Sequence, residues 1–324
     1  MRKVYWIFMF FLILAACKRE KEQLLTSHIE YDVELGQYLA SSWPLADQQR
    51  FVMTLLDAVD QGRAKDENGF PVTWNTIAEH LKKTGLSDSF SFDSIKYYLL
   101  HRVNFIRFKE KWSYDKNNYH LYKTVEAIAP GCKISIEGDS LHAAYDKWIP
   151  LFWVDIPKNF QKTDMSMDYV ITHVFIRNDV EDVLDRYDSI HPSLCNLPRL
   201  SRDSFYVRLI RAYENKKIPV YNMFFQPFTM ADYTRYFELK KLLESDNLLQ
   251  NYFHPSYFAR IKFIEKWNIS FDPLAIQKKI IAYSPSQVVF DTEYNMVKGY
   301  RLLFWVVQDS SCLKDASKHG YWME

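Results

Sequence analysis

The sequence predicts an α+β protein made of two tandem copies of one module, each with two helices followed by a three-stranded antiparallel β-meander. The first observation is a repeated stretch: FIRFKEKW begins at Phe105, and RIKFIEKW begins at Arg260, 155 positions later. The second is that an Ala-Pro or Ser-Pro pair and a Leu-Phe-Trp-Val run follow in the same order in both halves. The third is that the repeated stretches alternate apolar and polar residues, as half-buried strands do, after segments with helical spacing.

The first module is predicted to span residues 28–178. Apolar residues at helical spacing predict a helix over residues 45–59, and Thr73 is placed to cap a second helix that begins after Pro71. Alternation of apolar and polar residues then predicts three strands over residues 106–114, 119–127 and 148–156.

The second module is predicted to span residues 179–324 and to repeat these elements. Its helices are expected over residues 201–214 and 233–243, and its strands over residues 261–269, 274–282 and 300–307. An additional strand over residues 168–177 and a short helix over residues 180–187 are expected between the copies. No second-copy counterpart of that additional strand is evident.

Residues 1–16 are predicted to be a lipoprotein signal peptide. Arg2 and Lys3 precede an apolar run over residues 4–14, which is too short to cross a bilayer because a spanning helix needs about 20 residues. The sequence LAAC follows and has the form of a lipobox, in which the thiol of Cys17 takes a diacylglyceryl group. A plain signal peptide with an incidental cysteine is the alternative. We expect a lipidated Cys17, a tether over residues 17–27 and attachment to the outer membrane, on its periplasmic face.

Glu110 and Glu265 interrupt the apolar faces of the repeated strands. If the first hairpin closes around residues 116 and 117, Glu110 lies opposite Lys123, and the same register places Glu265 opposite Lys278. A charge that faces a core needs a partner. We therefore predict two structural ion pairs, Glu110–Lys123 and Glu265–Lys278, one in each module. Catalytic carboxylates are the alternative, and they would require an open cleft and a raised pKa.

No cofactor, metal or catalytic site is predicted elsewhere in the chain. The sequence has no nucleophile elbow, zinc-protease helix, phosphate-binding loop or dinucleotide fingerprint, and only 8 of its 324 residues are glycine. A net charge of +1 favours no nucleic-acid partner. Besides Cys17, three cysteines remain, which permit one disulfide at most: Cys132, Cys195 and Cys312. Aromatic residues form 17% of the chain, which suits protein interfaces, and the candidates for stacking on a sugar are Trp43, Trp74 and Trp148.

The meander residues resemble the GldN/PorN family of the Bacteroidetes type IX secretion and gliding machinery. The resemblance lies in FKEKWSYDK from Phe108, EAIAP ending at Pro130, PLFWV from Pro150 and GYRLLFWV from Gly299. It implies a non-enzymatic periplasmic assembly protein that associates in ring-like complexes with a lipoprotein partner. Contact with an inner-membrane-anchored component is also implied. This chain would be a divergent relative, because it carries the signature twice and has its own predicted lipid anchor.

The leading functional hypothesis is a lipid-anchored, non-enzymatic scaffold of an envelope complex that resembles the type IX secretion or gliding machinery. An outer-membrane lipoprotein that binds glycan or peptide through exposed aromatic residues is the second hypothesis. A hydrolase that uses Glu110 or Glu265 is the third.

Overall fold

The computed structural model shows a mostly β structure of two packed sheets, and the predicted fold class is wrong. Strands account for 48% of the structure and helices for 26%, and the chain is not a tandem pair of modules with helices and a three-stranded meander. Extra strands and long hairpin strands shift the balance toward β-structure. The structure describes residues 22–35, 43–84, 92–136, 145–158, 162–176, 194–195, 197–229, 258–291, 296–311 and 313.

Four helices occur in these described ranges: α1 (Leu45–Asp60), α2 (Trp74–Lys83), α3 (Phe92–Arg102) and α4 (Arg199–Glu214). Three of them confirm predicted helices, and α3 was not predicted. Thr73 caps α2 as expected, because its hydroxyl oxygen accepts the backbone N–H of Thr76. The helices predicted over residues 180–187 and 233–243 lie outside the described residues.

The first sheet has the strand order β1-β3-β4-β6-β2, with β5 also paired to β4. All its pairings are antiparallel. Its strands are β1 (Glu22–Glu34), β2 (Ala64–Lys65), β3 (Phe105–Asp115), β4 (Leu121–Ile136), β5 (Tyr145–Pro150) and β6 (Trp153–Asp155).

The second sheet has the order β11-β10-β9-β7-β8, with β12 also paired to β10. Its pairings are antiparallel except for the short parallel contact between β7 and β8. Its strands are β7 (Met165–Ile176), β8 (Leu194–Cys195), β9 (Phe258–Phe271), β10 (Leu274–Asp291), β11 (Met296–Leu302) and β12 (Val306–Val307).

The sequence repeat corresponds to equivalent strands, position by position. Ile128 pairs with Val154 in the first sheet, and Tyr283 pairs with Val306 in the second. The single third strand predicted for each meander is instead two strands, β5 and β6 or β11 and β12. Both members of each pair hydrogen-bond to the same long strand, β4 or β10.

A fourth strand also repeats, and it corrects the predicted boundaries. β7 pairs with β9 of the second sheet, although residues 168–177 were assigned to the first module. Its counterpart is β1, which pairs with β3 in the same way. Because β1 begins at Glu22 and buries Leu25 and Thr26, residues 22–27 belong to the folded sheet rather than to the predicted tether.

The two sheets pack face to face over one continuous core. Strand β4 of the first sheet contacts β10 of the second, and β1 contacts β7. The aromatic contacts across this core repeat with the same geometry, since the ring centroids of Phe108 and Trp267 are 5.3 Å apart and those of Trp112 and Phe263 are also 5.3 Å apart. The sheets are therefore related by an approximate twofold axis. No helix in the described ranges has the length and apolar character needed to cross a bilayer.

Candidate functional site

The four charged residues predicted to form ion pairs all meet at the centre of the core between the two sheets. The side chains of Glu110, Glu265 and Lys278 are 0% exposed, and that of Lys123 is 1% exposed. Each projects from the strand on which it was expected: Glu110 from β3, Lys123 from β4, Glu265 from β9 and Lys278 from β10.

The ion pairs are exchanged between the sheets. The Lys123 Nζ lies 2.7 Å from an Oε1 of Glu265, and the Lys278 Nζ lies 2.9 Å from the Oε1 of Glu110. Each lysine thus contacts the glutamate of the other copy, whereas the prediction paired it with the glutamate of its own copy. The correct description is a pair of cross-sheet bridges that join the two halves of the chain.

The strand register explains the exchange. Lys123 lies opposite Trp112 and not opposite Glu110, and Lys278 lies opposite Trp267. The predicted register was wrong by two residues in both hairpins. Because side chains alternate with a period of two, this shift leaves every predicted residue on the correct face but changes its neighbours.

Irregular strand pairing surrounds each glutamate. The β3–β4 register shifts between Lys109 and Glu110, and the β9–β10 register shifts next to Glu265 at the equivalent place. The neighbouring strands β1 and β7 also shift their registers beside Glu110 and Glu265. A bulge bends its strand and re-aims side chains, so these repeated bulges set the direction of both carboxylates.

Further hydrogen bonds satisfy both carboxylates. The Tyr31 hydroxyl donates to Glu110 at 3.0 Å, and the Trp112 indole N–H donates to Glu110 at 2.7 Å. Glu265 accepts from the Thr172 hydroxyl at 3.0 Å and from the Trp267 indole at 2.9 Å. The two tryptophans are equivalent in the repeat. Tyr31 and Thr172 were missed because they come from β1 and β7, whose equivalence the sequence did not reveal.

Each lysine is also held over aromatic rings. The Nζ of Lys123 lies 3.3 Å from the ring centroid of Phe263, and the Nζ of Lys278 lies 3.0 Å from that of Phe108. Both ammonium groups also contact Tyr31, because Lys278 donates to its hydroxyl at 2.9 Å and Lys123 lies 3.4 Å from the same oxygen. These rings replace part of the solvation that the buried cations lose.

The pKa shifts in this cluster reflect burial opposed by charge. Burial alone would raise the pKa of Glu265, but the charges of Lys123 and Lys278 and the hydrogen bonds from Lys123 and Trp267 outweigh it and hold the pKa below its usual value. Burial lowers the pKa of Lys278 to about 8, with the charge of Lys123 acting in the same direction and the two glutamates opposing it. Glu265 therefore remains an anion and is a poor general acid.

The cluster contains equal numbers of anions and cations, and its carboxylate oxygens are occupied by hydrogen bonds or ion pairs. A hydrolase that uses Glu110 or Glu265 would need an open cleft, and neither carboxylate is open to solvent. In the part of the chain that the structure describes, no group of three or more histidine, cysteine or acidic residues could hold a metal ion.

The other predicted site residues are dispersed. Cys132 is buried with a free thiol whose pKa is raised by burial to about 12, Cys195 lies in β8, and Cys17 and Cys312 lie outside the described residues. Trp43 is 1% exposed, so it cannot stack on a sugar. Trp74 and Trp148 are partly exposed, but Trp74 donates its indole N–H to Asp60 and Trp148 packs on Phe105.

Two equivalent hairpin tips differ sharply in character. Residues 66–70 and 222–226 have the same frame, in which a side-chain oxygen of Asp66 or Asn222 accepts two backbone N–H groups of the tip. The first tip has the sequence DENGF, and the second has NMFFQ. Met223 and Phe224 are 54% and 60% exposed. An open cleft of about 590 Å³ lies beside the second hairpin and is lined in part by Tyr213, Lys217 and Phe228.

No protein-family model matches the sequence, and no curated protein matches it at a significant level.

Proposed function

We propose that this chain is a lipid-anchored, non-enzymatic structural component of an envelope complex, of the kind that the GldN/PorN resemblance implies. The observation that carries the proposal is the buried cluster of four charged residues: Glu110, Lys123, Glu265 and Lys278. Among the side chains that the structure describes, the charged residues on the core face of the repeated hairpins join the two halves of the chain instead of facing a substrate, and they include both catalytic candidates, Glu110 and Glu265.

Several features support a role in assembly. The sheets are joined by bridges that require both halves of the chain, which suits a rigid building block. Exposed apolar side chains occur away from this core, including Phe70, Met223 and Phe224. The lipobox that ends at Cys17 supports attachment to a membrane.

The test is purification of the tagged full-length protein from detergent-solubilised membranes of its native host. We expect other envelope proteins to co-purify with it and the particle to exceed the size of a monomer. A Cys17→Ser variant is the matched control, and it should lose palmitate incorporation. A lipidated protein that elutes as a solitary monomer would contradict the scaffold proposal.

The glycan- or peptide-binding alternative now rests on the open cleft beside the second hairpin, since Trp43 is buried. Aromatic and lysine side chains on one wall of a cleft are suited to a sugar face or an acidic peptide. Calorimetric titration with cell-wall saccharides and with peptides tests this alternative. Saturable heat that Lys217→Glu removes would support it, and its absence with every probe would contradict it.

A further inference from the structure

We propose that the second hairpin tip, residues 222–226, inserts into the surface of a lipid bilayer that carries anionic headgroups. This inference goes beyond the proposed function, because a protein scaffold needs no second membrane contact. It rests on the comparison of two hairpins that share one backbone frame within the same chain.

The two tips are built alike. Phe70 O accepts the N–H of Asp66 at 2.8 Å, and Gln226 O accepts the N–H of Asn222 at 2.9 Å. Both tips also have a residue with positive φ at the same place, Gly69 at 85° and Phe225 at 57°. Because the two backbone frames match, a comparison with the first tip shows which side chains differ in the second.

At the two central positions of the tip, the side chains change from polar to apolar, whereas the exposed Phe70 of the first tip corresponds to Gln226. Glu67 and Asn68 of the first tip correspond to Met223 and Phe224 of the second. Both substituted side chains point into solvent, where an apolar side chain gains nothing from folding. The apolar pair is therefore unlike the turn residues that a solvated loop ordinarily carries.

Phe225 fixes the tip in place. A bulky residue at positive φ is a strained outlier, and glycine occupies the equivalent position in the first hairpin. The Phe225 ring stacks on Trp305 with centroids 5.3 Å apart and is itself buried. The stacked ring anchors the loop from below, so that Met223 and Phe224 are held outward on a rigid base.

The positive charge close in sequence to the tip favours an anionic bilayer as the surface that the tip binds. Residues 213–229, which contain the second hairpin, carry Lys216 and Lys217 against one acidic residue, Glu214. The equivalent residues 57–73 carry two cations against four acidic residues. Lys216 and Lys217 are both exposed. Both lysines line the cleft together with Tyr221 and Pro227 at the base of the hairpin. An exposed aromatic and aliphatic pair on a hairpin whose base adjoins two lysines is the pattern of an interfacial anchor on anionic lipid.

The experiment uses the mature chain with Cys17→Ser, so that no acyl chain contributes, and vesicles of phosphatidylcholine with or without phosphatidylglycerol. We expect co-sedimentation with the anionic vesicles and weaker binding to neutral ones. Met223→Ser with Phe224→Ser should lower the partition coefficient by about tenfold or more, because membrane binding scales with the buried apolar area. Lys216→Gln with Lys217→Gln should weaken binding to the anionic vesicles only.

The matched control is Phe70→Ser, which removes a 67% exposed aromatic side chain from the equivalent hairpin and should leave binding unchanged. Circular dichroism melting checks that each variant remains folded. Failure of the parent protein to bind anionic vesicles would overturn the inference, as would equal binding by the Met223 and Phe224 variant. Loss of a co-purifying protein from that variant without any vesicle binding would also overturn it and would assign the tip to a protein partner. None of these results depends on whether the chain is a scaffold.

Discussion

At the scale of residues, the central finding is that two lysines and two glutamates bridge the sheets in exchanged pairs. The sequence alone indicated which four residues carry buried charge, because each interrupts an apolar face and recurs in the repeat. It could not indicate the partners. A register error of two residues preserves the face, and the contact across the sheets depends on packing that no local pattern encodes.

Double-mutant cycles should show coupling across the sheets. Glu265→Gln leaves Lys123 buried without a carboxylate and should lower the free energy of unfolding by about 3–5 kcal/mol. The coupling energy between Lys123→Met and Glu265→Gln, measured by urea unfolding, should be about 1–3 kcal/mol. The cycle for Glu110 and Lys123 is the control, and a larger coupling for that pair would contradict the exchanged arrangement.

The cluster should also contribute to stability in a pH-dependent way. The pKa of Glu265 is held below its usual value of 4.5, so its stabilising contribution is fully present above that pH and is lost as the pH falls through the folded-state pKa. The difference in unfolding free energy between the parent protein and Glu265→Gln should therefore shrink below pH 4.5. Urea unfolding at a series of pH values measures it.

Titrating groups that do not interact with Glu265 cancel in that comparison. Burial and the charges of Arg260 and Lys262 lower the pKa of His173 to about 3, and this residue is present in both proteins. Glu79→Gln on the exposed face of α2 is the matched control and should show no such trend. A constant difference at all pH values would show that the carboxylate charge of Glu265 does not stabilise the fold.

At the scale of elements, the long amphipathic segments were predictable and the irregular ones were not. Regular periodicity identified α1, α2, α4 and the hairpins β3–β4 and β9–β10. β1 was missed because a register shift beside Ile29 breaks its alternation. α3 was missed because its large apolar residues do not share one face, since Tyr97 is 69% exposed while Ile95 and Leu99 are buried.

Truncation tests whether β1 begins at Glu22. A mature chain that starts at His28 loses Leu25, whose burial alone contributes about 1.5–3 kcal/mol, and the β1–β3 hydrogen bonds near it. It should melt at a clearly lower temperature than a chain that starts at Glu22. Equal melting temperatures would show that residues 22–27 do not stabilise the sheet and belong to the tether.

At the scale of the whole molecule, the duplication produced one core rather than two. The repeat predicted two tandem modules, but the apolar faces of both sheets close on each other and share one hydrophobic cluster. This arrangement could not be inferred from periodicity, because a sheet with one apolar face packs equally well on helices or on another sheet.

A chain cut between residues 158 and 162 tests this dependence. The two fragments should form a soluble complex when they are co-expressed, because each supplies one lysine and one glutamate to the other. Each fragment expressed alone should aggregate or pair with a second copy of itself. A single fragment that is monomeric and cooperatively folded would contradict the shared core.

The exchanged bridges also constrain the order of events during biosynthesis. A chain is made from its N-terminus, so Lys123 must wait until Glu265 has emerged, and Glu110 must wait for Lys278. The first sheet therefore has one glutamate and one lysine on its apolar face without their partners from the second sheet until the hairpin β9–β10 has been synthesised. We expect the nascent chain to be sensitive to proteases and to need chaperones in this interval, which ends when the hairpin β9–β10 packs on the first sheet.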